Sequence, residues 1–161
     1  MYARRGFPRL PYGVFRMAGM KVRDVMSTEV FEISTDATIQ AAARRMADSH
    51  ANSLIVRPEG KEEPFGIITS TDIVDALAGG ADPTTALVRE IATAPLVTIT
   101  PGVPIEYAAR LMKRANLRHL AVFNGREIVG VLSAYDFMKA LGGYKHLRAP
   151  READELTPTI Q

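Results

Sequence analysis

Internal repetition constrains this chain more than any other feature. Val22-Arg23-Asp24-Val25 returns as Val88-Arg89-Glu90-Ile91, 66 residues later, and at that offset ten of the 35 positions from 22 to 56 are identical. The offset then falls to 64, because the loop at 58–63 is longer than the turn at Asn124-Gly125. A unit of about sixty residues is barely large enough to bury a core by itself, so two copies are expected to pack against each other.

Each copy carries the same local pattern. Ile39, Ala42, Ala43 and Met46 stand at i, i+3, i+4 and i+7, as do Ile105, Ala108, Ala109 and Met112. That spacing predicts a helix with one apolar face. Thr38 suits the N-cap of the first helix, and Pro104 the first turn of the second. After each helix comes a β-branched run, Leu54-Ile55-Val56 or Leu120-Ala121-Val122-Phe123, then a turn, then a second run. The second runs are Phe65-Gly66-Ile67-Ile68 and Ile128-Val129-Gly130-Val131-Leu132, and they read as neighbouring strands. Asn124-Gly125 is a strong hairpin signal. A short helix closes each unit, with Ile73 and Leu77, or Phe137 and Leu141, expected to face inward, and Gly79-Gly80 or Gly142-Gly143 ending it. Residues 30–33 and 96–99 read as a further short strand before each first helix. The fold class is therefore α+β: two β-α-β-β-α repeats, at 20–80 and 81–144, sharing a core through their sheets.

Charge is distributed unevenly. Residues 1–21 hold five bases and no acid, whereas residues 22–161 hold 15 bases and 18 acids, so the net charge of +2 is +5 in an N-terminal arm and −3 elsewhere. The folded part lacks the broad basic face of a nucleic-acid binder. The chain contains no cysteine, which excludes disulfides, thiolate metal sites and a cysteine nucleophile. It has no apolar run of membrane-spanning length and no apolar secretion signal. A cytoplasmic protein is expected, with mobile tails at 1–19 and 145–161.

Two seven-residue stretches carry the chemistry: Gly66-Ile67-Ile68-Thr69-Ser70-Thr71-Asp72 and Gly130-Val131-Leu132-Ser133-Ala134-Tyr135-Asp136. Both read glycine, two apolar residues, a hydroxyl residue, two variable residues and an aspartate, where a strand turns into a helix. The glycine lets the backbone pass close to a neighbour or a ligand. Thr69 with Asp72, and Ser133 with Asp136, fit a capping box, which alone contributes about 0.5–2 kcal/mol per helix. The same geometry suits a nucleotide. A helix N-terminus attracts an anion, the hydroxyl can donate to phosphate, and the carboxylate can accept both hydroxyls of a ribose.

The duplicated helix, both glycine–hydroxyl–aspartate endings, Val22-Arg23-Asp24-Val25-Met26 and the stretch Asn116-Leu117-Arg118-His119-Leu120-Ala121-Val122 resemble the cystathionine-β-synthase (CBS) domain family, over roughly residues 20–141. The resemblance implies two repeats paired about a pseudo-twofold axis, with two clefts commonly occupied by AMP, ADP, ATP or S-adenosylmethionine. It assigns Asp72 and Asp136 to the ribose and sets Thr69 and Ser133 near ribose or phosphate. It places the base near Val30 or Val97, and Arg118 and His119 toward the phosphate. The matching residues of the first repeat, Asn52 and Ser53, lack that charge, so the two clefts are expected to be unequal. The resemblance also implies a homodimer and a regulatory module with no obligatory cofactor, not an enzyme.

Other residues carry less. Met26, Met46 and Met112 read as core fillers. His50 and His146 have no metal-ligand spacing with His119. Tyr135 sits at a variable motif position where it could stack on a base or lie exposed. There is no phosphate loop of the Gly-x-x-x-x-Gly-Lys type and no nucleophile–base pair. Two other functions stay open at this point: a ligand-free module that docks a partner protein, and a nucleic-acid-associated regulator acting through the arm at 1–19.

Overall fold

The computed structural model describes residues 19–142; the basic arm, save Gly19, and the C-terminal tail expected from the sequence lie outside them. Within that span the duplication is carried by six elements per half. The first half runs α1 (Val22–Val25), β1 (Glu32–Ser34), α2 (Ile39–Ser49), β2 (Ser53–Arg57), β3 (Gly66–Thr69) and α3 (Ser70–Ala78). The second runs α4 (Val88–Ile91), β4 (Thr98–Ile99), α5 (Ile105–Ala115), β5 (His119–Phe123), β6 (Ile128–Ser133) and α6 (Ala134–Leu141). Each half holds a three-stranded sheet, β1-β2-β3 or β4-β5-β6, with the first pair parallel and the second antiparallel. This is the expected mixed α+β architecture, with one helical turn added at the start of each unit.

That turn accounts for the most visible repeat in the sequence. In α1 the backbone N–H of Lys21 donates to Asp24 Oδ2 at 2.8 Å, and in α4 the N–H of Leu87 donates to Glu90 Oε2 at 3.3 Å. The acid at the third position of the turn thus satisfies an amide that would otherwise lack an acceptor.

Both turns cross to the opposite half. Val22 and Val25 belong to the apolar cluster built on Ile105, Met112, Leu120 and Leu132, while Val88 belongs to that of Ile39, Met46, Leu54 and Ile68. Backbone hydrogen bonds fix the exchange: Val22 N–H to Val103 O at 2.9 Å, and Val88 N–H to Ala37 O at 2.8 Å. The core is therefore not a single shared one. Each half has a helix–sheet cluster completed by the other half's turn, and a smaller third cluster of Ile55, Ile67 and Ala121 joins the sheets, with Val30, Leu96, Ile128 and Val131 against it.

The helix caps follow expectation except at Pro104, and the helix faces need two corrections. Thr38 Oγ1 accepts from Ala41 N–H, and His50 and Asn116 close α2 and α5 in the left-handed conformation. Pro104 occupies the N-cap of α5 and not its first turn. Leu77 and Leu141, expected to face inward, are 46% and 48% exposed. The buried faces of α3 and α6 use an i, i+3 pair instead: Ile73 with Ala76, and Phe137 with Ala140. A leucine at i+4 then falls at the edge of so narrow a face. For the same reason Ala43 and Ala109 are exposed although Ala42 and Ala108 are fully buried. Strands β1 and β4 are also shorter than the apolar runs suggest, starting at Glu32 and Thr98.

The motif glycines permit the crossing. The segment after α4 lies along β3 through paired Ile67–Thr93 hydrogen bonds of 2.9 Å, and the segment after α1 lies along β6 through Ser27–Val131 bonds of 3.0 Å. A Cβ on Gly66 would stand 2.8 Å from Thr93 O, and one on Gly130 would stand 2.6 Å from Ser27 O and 2.8 Å from Met26 Sδ. The obstacle is backbone, which cannot turn aside. Gly130→Ala is expected to destabilise the fold by about 1–3 kcal/mol, the usual penalty for overpacking. Urea denaturation checks this, and a midpoint equal to that of the wild type would contradict the crossing.

Candidate functional site

The crossing leaves a cleft on each side of the pseudo-twofold axis. Each has three walls: the N-terminus of α3 or α6, the crossing segment beside it, and the helix–strand turn that the crossing segment's own repeat supplies. One cleft, of about 290 Å³, is lined by Thr69, Thr71, Asp72 and Asp75 from the first repeat and by Thr93, Asn116, Arg118 and His119 from the second. The other, of about 200 Å³, sets Ser133, Tyr135, Asp136 and Lys139 of the second repeat against Ser27, Glu29, His50 and Asn52 of the first. These are small volumes beside the common range of about 300–1,000 Å³ for ligand pockets.

Both helix starts are tied by complete capping boxes. Asp72 Oδ2 accepts from the N–H and the Oγ1 of Thr69, each at 2.7 Å, and Thr69 Oγ1 accepts from Asp72 N–H at 3.3 Å. Ser133 and Asp136 repeat this set with the same three distances. Each aspartate uses one carboxylate oxygen for the cap. The second oxygen of Asp136 meets Lys139 Nζ at 2.7 Å, and Asp136 is only 3% exposed. Asp72 is half-buried, and no ion pair holds its Oδ1 among the described residues.

The structure thus gathers Thr69, Asp72, Arg118 and His119 in one cleft, and Ser133 and Asp136 in the other. Val30 and Val97 line neither: Val30 packs in the cluster between the sheets, and Val97 against the second half's core. The crossing residues Ser27, Glu29 and Thr93 occupy the wall where a base contact was expected. Sequence reasoning also passed over Lys139, which gives the Asp136 cleft the cation that Asn52 does not. Its only signal was its place one helical turn beyond Asp136, where the other motif has Asp75.

His119 stands between the clefts. It lines one of them, and its Nε2 lies 3.3 Å from Oδ1 of Asn52, which lines the other. With Nε2 protonated, the imidazole donates this bond across the axis. A larger cleft among the described residues, of about 560 Å³, lies at neither motif. Its lining mixes apolar residues such as Phe65, Leu96, Phe123 and Ile128 with Thr98, Arg126 and Glu127, and the Arg57 side chain there is already held by Glu32 through bonds of 2.8 and 2.9 Å. The motif clefts are the better candidates, because polar groups converge in them.

The CBS domain family pattern matches residues 22–79 and 88–143, and the chain belongs to that family. A CBS domain-containing protein of Bacillus subtilis is 31% identical over 116 residues, covering 71% of this chain and 81% of the relative. A homoserine O-acetyltransferase of Methanosphaerula palustris is 35% identical over 123 residues, of which this chain spans only 24% of the length. Among solved structures, a CBS domain protein from Pyrobaculum aerophilum complexed with AMP is 25% identical with a TM-score of 0.64, covering 73% of this chain and 89% of that one. The CBS domain pair of protein MJ0100, in complex with 5′-methylthioadenosine and S-adenosyl-L-methionine, is 26% identical with a TM-score of 0.66, covering 78% and 98%. No helix among the described residues is long and apolar enough to cross a membrane.

Burial holds the His119 imidazole below its ordinary value of 6.5; Asp136 and Asp72 draw it back up, and Arg118 adds to the lowering. The folded protein therefore keeps this group neutral at a pH where the unfolded chain protonates it. Its contribution to stability is whole above 6.5 and declines as the pH falls from 6.5 to the lowered folded value. The melting temperature should drop more between pH 7.5 and 5.5 in the wild type than in His119→Gln. Equal drops in thermal melts of the two proteins would show that His119 is not held neutral.

Proposed function

We propose that the chain is a regulatory module that binds an adenine nucleotide, AMP foremost and ADP or ATP besides, in the clefts between its repeats, and that it is not an enzyme. The observation that carries this is the joining of the half-buried Asp72, Thr69 and Arg118, contributed by different repeats, around one helix N-terminus. Asp72 Oδ1 can accept a ribose hydroxyl while Oδ2 keeps the cap. The guanidinium of Arg118 is exposed and suits a phosphate. The dipole of α3 adds positive potential at this end of the helix. The AMP complex of the Pyrobaculum aerophilum protein and the adenosyl ligands of the MJ0100 domain pair support the ligand class.

Regulation follows from where the walls come from. A ligand touching both repeats stabilises one relative placement of the halves, and the shift cannot exceed its difference in affinity for the two placements. This reading sets the module in the cytoplasm and pairs it into a homodimer. Val74 and Leu77 on α3, and Met138 and Leu141 at the equivalent positions of α6, are 46–61% exposed, and they suit a second copy that would cover them.

Two measurements test the reading. In calorimetric titration, Asp72→Ala and Arg118→Ala should each weaken AMP by roughly ten- to a hundred-fold, as expected when about 1.5–3 kcal/mol of charge-assisted hydrogen bonding is lost. Arg118→Ala should leave adenosine unchanged. Melting temperatures taken alongside separate a lost cap from a lost contact. AMP affinities equal to the wild type in both variants would refute the site. In sedimentation, the wild type should run as a dimer at tens of micromolar and Leu77→Glu/Leu141→Glu as a monomer; a wild-type monomer of 17.6 kDa would refute the pairing.

A further inference from the structure

The two clefts share a capping box and differ one turn further along the helix. In α6 the residue there is Lys139, whose Nζ meets Asp136 Oδ1 at 2.7 Å. In α3 it is Asp75, so the carboxylate equivalent to Asp136 faces a second acid of its own helix. Asp136 therefore has both oxygens engaged, one by Ser133 and one by Lys139, while the Oδ1 of Asp72 is open to a ligand.

We propose that Lys139 sets the ligand selectivity of the Asp136 cleft: it admits a phosphorylated nucleoside and resists the bare nucleoside. The inference rests on the nucleotide reading above and goes beyond it to the residue that discriminates. A ribose diol reaching Asp136 must displace Lys139, which leaves a carboxylate only 3% exposed without its cation. Only the carboxylate of this pair is buried, and leaving it without its cation is unfavourable. A nucleoside offers nothing to hold the released ammonium. A phosphate does, since Nζ can exchange one anionic oxygen for another within the same cleft.

The side chain is placed for that exchange. Lys139 lines the cleft, its side chain is 40% exposed, and its ammonium already lies 5.5 Å from the centre of the Tyr135 ring, another lining residue. A flexible four-carbon stem lets the charge move between partners without disturbing α6. Arg118 in the other cleft has no such double role. It is exposed and pairs with neither aspartate, so it can hold a phosphate without first uncovering Asp72.

The two cations therefore differ in what their removal does. Without Arg118 the Asp72 cleft loses phosphate affinity and nothing else. Without Lys139 the Asp136 cleft loses phosphate affinity and gains nucleoside affinity, because Asp136 Oδ1 is then free to accept the ribose. A residue that only stabilised α6 would weaken both ligands together.

The experiment is an NMR titration of the full chain with AMP and with adenosine, reading the amides of Ser133 and Thr69 as reporters of the two clefts. In the wild type, the Ser133 amide should report AMP about tenfold tighter than adenosine, the order of one charge-assisted hydrogen bond. In Lys139→Met, and in Lys139→Gln as a second neutral variant, adenosine should tighten and AMP weaken until the two agree within about threefold. Lys139→Arg should restore the preference. Equal AMP and adenosine affinities at Ser133 in the wild type, or parallel weakening of both in the neutral variants, would overturn the inference and leave the nucleotide reading standing. If neither ligand moves either amide in the wild type, both are overturned.

Discussion

The structure depends on two places where backbone passes backbone with no side chain between. At Gly66 the carbonyl of Thr93 lies where a Cβ would be, and at Gly130 the carbonyl of Ser27 does. These contacts lay the segment that follows each short helical turn along the other half's last strand, and so commit α1 to the second core and α4 to the first. Neither half buries its apolar residues without the other's contribution. For two units of about sixty residues the exchange has a physical use as well as a topological one, since a unit of that size is marginal alone.

The crossing also makes the clefts. A crossing segment runs beside the start of the following helix, so Thr93 comes to α3 and Ser27 to α6. The hydroxyl and the aspartate of each motif are then fixed by the helix cap, with both oxygen contacts at 2.7 Å. The bland and the functional readings of this motif are not rivals. Capping uses Oδ2 and orients the carboxylate; at Asp72 this leaves Oδ1 unpaired among the described residues, whereas at Asp136 Lys139 holds it. A cap contributes about 0.5–2 kcal/mol whether or not a ligand is present, so the aspartate is held in position before any ligand arrives.

Legibility in the sequence tracked how local the cause was. The duplication, the main helices, the strand pairs and the capping residues were readable because periodicity and cap chemistry act within a few residues. Leu77 and Leu141 were misplaced because which side of a helix is covered depends on what packs there, and an i, i+3 face and an i, i+4 face cannot be told apart from spacing. The single shared core was wrong for a related reason: the exchange of α1 and α4 is a long-range event, and Val22-Arg23-Asp24-Val25 states only a local acid-capped turn. Lys139 was passed over because the reading compared each repeat for what it had at Arg118 and Asn52. The compensating charge enters from a different element.

That compensation shows how a duplicated site diverges while its frame is kept. Arg118 and Asn52 occupy equivalent turns, as do Asp75 and Lys139 on equivalent helices, and each cleft ends with one strong cation from a different wall. Where the cation stands decides its effect. On the opposite wall Arg118 leaves the carboxylate of Asp72 untouched, whereas on the same helix Lys139 falls within 2.7 Å of Asp136 and neutralises it. The bond between His119 and Asn52 then joins the two sets across the axis, donor from one cleft and acceptor from the other. A neutral imidazole suits that post. Protonated, it would carry charge into a partly buried place, drawn toward Asp72 and Asp136 and repelled by Arg118. Desolvation outweighs that attraction, so at neutral pH the link between the clefts is a neutral hydrogen bond.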